Sequence, residues 1–255
     1  MKKLICILFV ITAFALVTGT AMAEDLGKVI KKGEIKFALT GQYPPFNFVD
    51  KNNNLAGFDV EIGKEIAKRI GVKGVPITTA WDGIIAGLLA KKYELICGSM
   101  AITPKRLKSI DFSDPYYRSG AQLFVGNNSS ITSINDFKGK KIGVTLGTTY
   151  EKWVRENVSG VKIRTYKGVP AMVLETKNGR IDGFVTDKIV GAMAIKEKGA
   201  PLKLAGKLLY EEKMGIAMRQ NNPKLKSKIN AALTKIKYDG TYHKISLKWL
   251  GIDVR

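Results

Sequence analysis

Arg106 stands in the run Thr103-Pro104-Lys105-Arg106, behind a threonine able to cap a helix and a proline suited to its first position. That spacing predicts a helix whose first turn presents the guanidinium, a planar fork that matches a carboxylate. Farther on, Gly143-Val144-Thr145-Leu146-Gly147-Thr148-Thr149 runs from a strand into a helix, whose free N–H groups and dipole suit an anion. Asp187 closes the apolar run Gly183-Phe184-Val185-Thr186, where a bare carboxylate is costly unless a cation meets it; the alternative is a helix cap. These residues offer binding chemistry.

Bond-making chemistry lacks its usual parts. The one histidine, His243, lies in a C-terminal helical stretch with no cysteine or acid cluster beside it, so it anchors neither a multi-histidine metal site nor a Ser-His-Asp triad. No phosphate loop and no dinucleotide-binding glycine fingerprint occurs. No cofactor is expected.

The elements that must position these residues alternate between short β-type runs and helical patterns, which argues for parallel sheets flanked by helices. Strands are predicted at Glu34–Leu39, Val75–Ala80, Tyr93–Gly98, Lys141–Thr145, Lys162–Tyr166 and Gly183–Thr186. Phe58, Ile62, Ile66 and Ile70 recur every four residues and make one apolar helix stripe, with Leu225, Ile229, Leu233 and Ile236 making another and Tyr242 to Trp249 a last short helix. Asp59 and Asp82 fall where helices begin and are read as N-caps. A second βαβ series starts after the turn-rich Gly126-Asn127-Asn128-Ser129-Ser130, and Lys213–Arg219 offers a return crossing. Two lobes are therefore expected, residues 24–125 with 219–255, and residues 126–218.

Lys2 and Lys3 precede the apolar run Leu4 to Val17 and the small-residue site Ala21-Met22-Ala23, the pattern of a secretory signal peptide over residues 1–23. The run is shorter than the roughly 20 residues of a membrane span, and cleavage before Glu24 is expected to leave about 230 residues, a soluble protein. Only Cys97 then remains, in the apolar run Leu95-Ile96-Cys97, which suits a buried inert thiol. The 42 basic against 22 acidic residues give +20, or +18 without Lys2 and Lys3. The lysines are scattered and no nucleic-acid motif accompanies them, so the charge is read as a solvated surface and no nucleic-acid partner is expected.

Four segments, in order, resemble the polar amino-acid-binding group of periplasmic solute-binding proteins. They are Tyr43-Pro44-Pro45-Phe46-Asn47-Phe48 with Gly57-Phe58-Asp59-Val60; Trp81-Asp82-Gly83-Ile84-Ile85; Gly98 to Arg106 leading to Asp111-Phe112-Ser113-Asp114-Pro115-Tyr116; and Asp239-Gly240-Thr241-Tyr242. The resemblance covers nearly the whole chain after residue 23. It implies two α/β lobes joined by two crossing strands, a free amino acid held in the cleft, a periplasmic location and delivery to an inner-membrane ABC permease by a monomer.

The resemblance also implies site residues. Arg106 matches the clamp on the ligand carboxylate, Thr149 the second-lobe carboxylate contact, Asp187 the group that holds the ligand ammonium, and Ser99 a first-lobe contact through its main-chain carbonyl. Tyr43 and Trp81 match aromatic walls. Ala101 occupies a position where relatives often carry a hydroxyl, leaving its backbone N–H to help, and Thr40 stands where several relatives place an aspartate that reaches the ligand side chain. Thr40, with Asn47 and Thr145 nearby, points to a polar or small neutral amino acid in preference to arginine or lysine. A cyclohexadienyl dehydratase-like enzyme on the same fold is the competing reading; Val190 stands where that enzyme needs a glutamate, and a valine cannot act as general acid. A soluble ligand-sensing module is a third.

Overall fold

The computed structural model describes residues 25–255. The expected signal peptide lies outside the described residues. The chain begins with α1 (Asp25–Lys32) and β1 (Glu34–Leu39), then three short strands, β2 (Gln42–Tyr43), β3 (Asn47–Val49) and β4 (Leu55–Ala56). There follow α2 (Phe58–Ile70), β5 (Lys73–Thr78), α3 (Ile84–Leu89), β6 (Leu95–Ala101), α4 (Pro104–Leu107) and β7 (Ile110–Phe112). The long strand β8 (Tyr117–Gly126) leads to β9 (Lys141–Thr145), α5 (Thr149–Asn157), β10 (Lys162–Tyr166), α6 (Val169–Lys177), β11 (Gly183–Asp187) and α7 (Lys188–Lys198). A second long strand, β12 (Leu202–Arg219), returns the chain to α8 (Pro223–Tyr238) and α9 (Thr241–Leu250).

The strands form one nine-stranded sheet in the order β10-β9-β11-β8-β12-β6-β1-β5, with β7 paired to β12, and a separate three-stranded sheet β2-β3-β4. At one end β5, β1 and β6 run parallel; at the other β10, β9 and β11 do. Between them β8 and β12 are antiparallel and belong to both ends. Residues 118–120 of β8 pair with residues 211–213 of β12, between the β8 stretch on β11 and the β12 stretch on β6. The six sequence-predicted strands all exist, three with the expected bounds. β8 was expected only as a crossing near Leu123–Asn127 and β12 only over Lys213–Arg219; the rest of both strands was not, because charges break their hydrophobic runs.

The stripe Phe58, Ile62 and Ile66 is buried under α2, which packs on β5 and β6 and against α8 and α9. Gly57 caps α2 with φ 121°, and a Cβ there would stand 2.4 Å from the Phe46 carbonyl oxygen, so only glycine fits. Asp59 and Asp82 are not caps. Asp59 is the second residue of α2, fully buried, and Asp82 is exposed within the turn Trp81–Gly83 that precedes α3. Side-chain caps do hold α4 and α5, where Thr103 accepts from the Arg106 N–H and Thr148 from the Glu151 N–H.

Beneath the cleft lies an aromatic cluster. Phe46 stacks on Tyr117 at 4.8 Å between centroids, and Phe58 meets Phe46, Tyr116 and Tyr242 at about 6 Å. Cys97 is fully buried beside it, its thiol donating to the Asp59 carbonyl, and burial pushes that thiol well above its ordinary range. This is the inert thiol expected.

Candidate ligand-binding site

Strand ends and helix starts from both ends of the sheet converge on one small cavity of about 40 Å³. Seven of the eight residues expected from the sequence line it: Thr40, Tyr43, Trp81, Ser99, Ala101, Arg106 and Thr149. Asp187 does not. The floor also carries Gln42, Thr145, Tyr150, Lys167 and Glu212.

Arg106, half-buried, is held by two neighbours. One guanidinium N–H donates to the Ala101 carbonyl at 2.8 Å, and the guanidinium lies over the Trp81 ring at 5.6 Å from its centroid. Burial lowers its pKa, opposed by Glu212 and nearby tyrosines. Its remaining N–H groups are free to face a carboxylate.

Ser99 sits at φ 59°, a left-handed backbone that a serine adopts only when its surroundings impose it. Its N–H donates to Tyr116 Oη at 2.9 Å and its hydroxyl to Asp59 Oδ2 at 2.9 Å. Both the N–H and the hydroxyl are thus spent on interior partners, and the residue also lines the cavity. Asp59 also accepts from Tyr116 Oη at 2.6 Å and Asn47 Nδ2 at 2.7 Å, yet burial still raises its pKa to about 6. Asn47 is a structural link rather than a pocket residue. Its Oδ1 accepts from the Thr40 hydroxyl and the Gly41 N–H, both at 3.0 Å, and so fixes Thr40 at the cavity edge.

Asp187 is completely buried at the end of β11. Its Oδ1 caps α7 by accepting from the Ile189 N–H at 2.7 Å and also accepts from the Ser119 hydroxyl at 2.8 Å, while its Oδ2 has no partner. Desolvation raises it to about 7. The cap read from the sequence is therefore present, and it holds the carboxyl just behind the tyrosines that border the cavity, near enough for its charge to raise Tyr43 and Tyr150.

Glu212 was missed by sequence reading. It is 9% exposed, its Oε2 lacks a hydrogen bond, and burial raises its pKa despite the Thr149 and Tyr150 hydroxyls and Arg106 nearby. The one sequence signal was the pair Glu211-Glu212 inside an alternating strand, where one acid must face inward. Glu151 is committed elsewhere, accepting from the Gly147 N–H at 2.7 Å and from Arg155.

The cavity has two ends. Arg106, Thr149 and Glu212 also border a wider groove on one side, while Thr40, Gln42, Thr145 and Lys167 border another that includes Thr78, Asp82 and Thr165. Trp81 borders all three spaces. It also bridges the cleft, its indole N–H 3.3 Å from the Gly147 carbonyl, and Tyr43 Oη lies 3.4 Å from Tyr150 Oη.

Two α/β lobes closing aromatic and charged side chains from both sides on one small cavity make a bilobal solute-binding protein. The chain belongs to the bacterial extracellular solute-binding proteins, family 3, whose model matches residues 35–252. It is 38% identical over 251 residues to the L-cystine-binding protein TcyJ of Escherichia coli (strain K12), across 96% of this chain and 94% of that protein. Among solved structures it resembles an ancestral amino acid-binding protein described as a precursor of cyclohexadienyl dehydratase, at 36% identity and TM-score 0.84, over 89% of this chain and 99% of that one. It also resembles an ancestral arginine-binding protein solved with arginine and with glutamine, at 41% identity and TM-scores of 0.82 and 0.81, over 86% of this chain and 99% of that one. The protein is thus a periplasmic amino-acid-binding component of an ABC transporter and not an enzyme. Val190, at the place where the dehydratase-like reading needed a glutamate, is buried in the core.

Proposed function

We propose that the protein, as a monomer, binds an amino acid with a neutral or zwitterionic side chain in preference to arginine or lysine, and that L-cystine is the first ligand to test. The observation that carries this reading is the far end of the cavity, where Thr40, Gln42 and Thr145 are joined by the cation Lys167 and the one carboxylate bordering the groove beyond is the exposed Asp82. A guanidinium or ammonium there meets the like charge of Lys167 and uncharged groups first, and the solvent-exposed Asp82 offsets little of that repulsion. Arg106 with the first N–H groups of α5 at Thr149 receives the α-carboxylate, the Ser99 main chain and Asp187 serve the ammonium, and Tyr43 and Trp81 enclose the stem. Ala101 contributes backbone only.

Beyond Thr40 and Lys167 the cavity continues into a groove of about 540 Å³ that includes Asp82. A ligand longer than glutamine has room, and Lys167 with Asp82 complements the second carboxylate and ammonium of a disulfide-linked pair of amino acids. The relationship to the cystine-binding protein supports the same choice.

One lobe is built on β1, β5 and β6 and the other on β9, β10 and β11, with β8 and β12 crossing between them at residues 118–120 and 211–213, so the clamps come from both sides and ligand stabilises the closed arrangement. Calorimetric titration of the protein with cystine, glutamine, glutamate, arginine and lysine tests the reading. Cystine or a neutral amino acid is expected to bind at least tenfold more tightly than arginine; arginine or lysine as the tightest ligand would overturn it.

A further inference from the structure

We propose that Glu212 is itself a ligand-binding residue, which lines the cavity where the two lobes cross and, backed by the buried Asp187, faces the α-ammonium group of the bound amino acid; this rests on the functional reading above. Glu212 lies in the stretch of β12 that crosses the cleft paired with β8. Strand alternation turns its neighbours Glu211 and Lys213 out to solvent and Glu212 inward. Directly opposite it in the antiparallel ladder is Ser119, and opposed residues carry their side chains on one face about 5 Å apart. The Ser119 hydroxyl donates to Asp187 Oδ1, so the two carboxyls share one buried corner.

Each carboxyl has one oxygen without a hydrogen-bond partner, Glu212 Oε2 and Asp187 Oδ2, and an orphaned buried acceptor is destabilising unless a donor arrives on binding. The groups that act on Glu212 are Arg106 from α4, Thr149 and Tyr150 from α5, Tyr210 from its own strand, Asp187 from the end of β11, and Tyr43 from β2. Arg106 is the one cation in that set. Once a ligand carboxylate engages Arg106, the ligand ammonium is the positive charge left to face both acids.

A proton linkage follows. Burial raises both carboxyls, Asp187 to about 7 with Glu212 adding to its rise, so Asp187 is partly protonated near neutrality in the ligand-free corner. An arriving ammonium favours the ionised forms and displaces part of that proton load to solvent. Affinity then rises as pH rises through 6 to 8. Were Glu212 instead to face the ligand carboxylate, binding would take up a proton and the slope would reverse.

The test is calorimetry of the intact protein and of Glu212→Gln with L-cystine, L-glutamine, L-arginine and the deamino analogue of glutamine, 4-carbamoylbutanoate. Titration at pH 6.5 in buffers of different ionisation enthalpy should show release of roughly 0.3–1 proton per L-amino acid from the unmodified protein. Glu212→Gln should weaken the L-amino acids about ten- to a hundredfold, reduce that release and flatten the pH slope. It should leave 4-carbamoylbutanoate, which lacks the ammonium, within about twofold. Unmodified protein that takes up protons or releases none would overturn the inference, even if the variant failed to fold. So would binding of L-amino acids unchanged by Glu212→Gln. If the unmodified protein bound none of the three amino acids, the functional reading itself would fall, and this inference with it.

Discussion

The guanidinium of Arg106 lies over the indole of Trp81, 5.6 Å from the ring centroid, and the same indole reaches across the cleft to the Gly147 carbonyl. One aromatic ring therefore orients the cation that lines the cavity and reaches Gly147 beside the start of α5. Ala101 completes the arrangement through its carbonyl, which takes one guanidinium N–H and fixes the direction of the rest.

Arg106→Ala is expected to weaken amino-acid binding by about 2–5 kcal/mol, because a desolvated carboxylate is left without its partner. Ligand-free stability should barely change, since Arg106 spends only one hydrogen bond on the fold. Arg106→Lys should also bind poorly, an ammonium lacking the two-pronged geometry. Calorimetry beside thermal melts checks both halves; a matching loss of stability would make Arg106 structural.

Asp187→Asn should stabilise the ligand-free protein while weakening binding. The asparagine carbonyl can still accept from Ile189 and Ser119, and the buried ionisable group is gone. The sign follows from the raised native pKa. Between about 4 and 7 the native state keeps a proton that the unfolded state releases, so stability from this group is greatest at low pH and falls as pH rises toward 7. The gain from the substitution should therefore grow from pH 4 to pH 7, then level at up to about 4 kcal/mol. Melting curves of both proteins from pH 4 to 8 measure it.

Asp59→Ala should destabilise the fold by about 2–4 kcal/mol, because Asn47, Ser99 and Tyr116 lose their acceptor together in a dry interior. That corresponds to roughly 4–16 °C in melting temperature. Binding should weaken as well, since the same carboxylate holds Ser99 and, through Asn47, Thr40. A variant that melts like the unmodified protein would dismiss the network.

Saturating L-cystine should shrink the radius of gyration seen by X-ray scattering, because only the closed arrangement brings Arg106 and Thr149 to one ligand. The bending should fall in residues 118–120 and 211–213, where β8 and β12 bridge the two ends of the sheet. Identical profiles with and without a bound amino acid would count against closure.

While the other cavity residues were implied by the resemblance to the family, the sequence by itself determined the alternation of strands and helices, the α2 stripe and the capped turn that carries Arg106. Each of these is local: periodicity, a cap and a proline act within a few residues of themselves. Tertiary structure alone decided what the acids do. Asp59 looked like a cap and is the buried acceptor of a three-donor network; Asp187 is a cap whose second oxygen is left bare; Glu212, for which no role was expected, faces the cavity. Alternation says that Glu211 and Glu212 point opposite ways, but not which way is inward. That depends on where β12 meets β8 and on Ser119 opposite, a partner 93 residues away in sequence, and a carboxyl's environment is set by such distant neighbours rather than by its own segment.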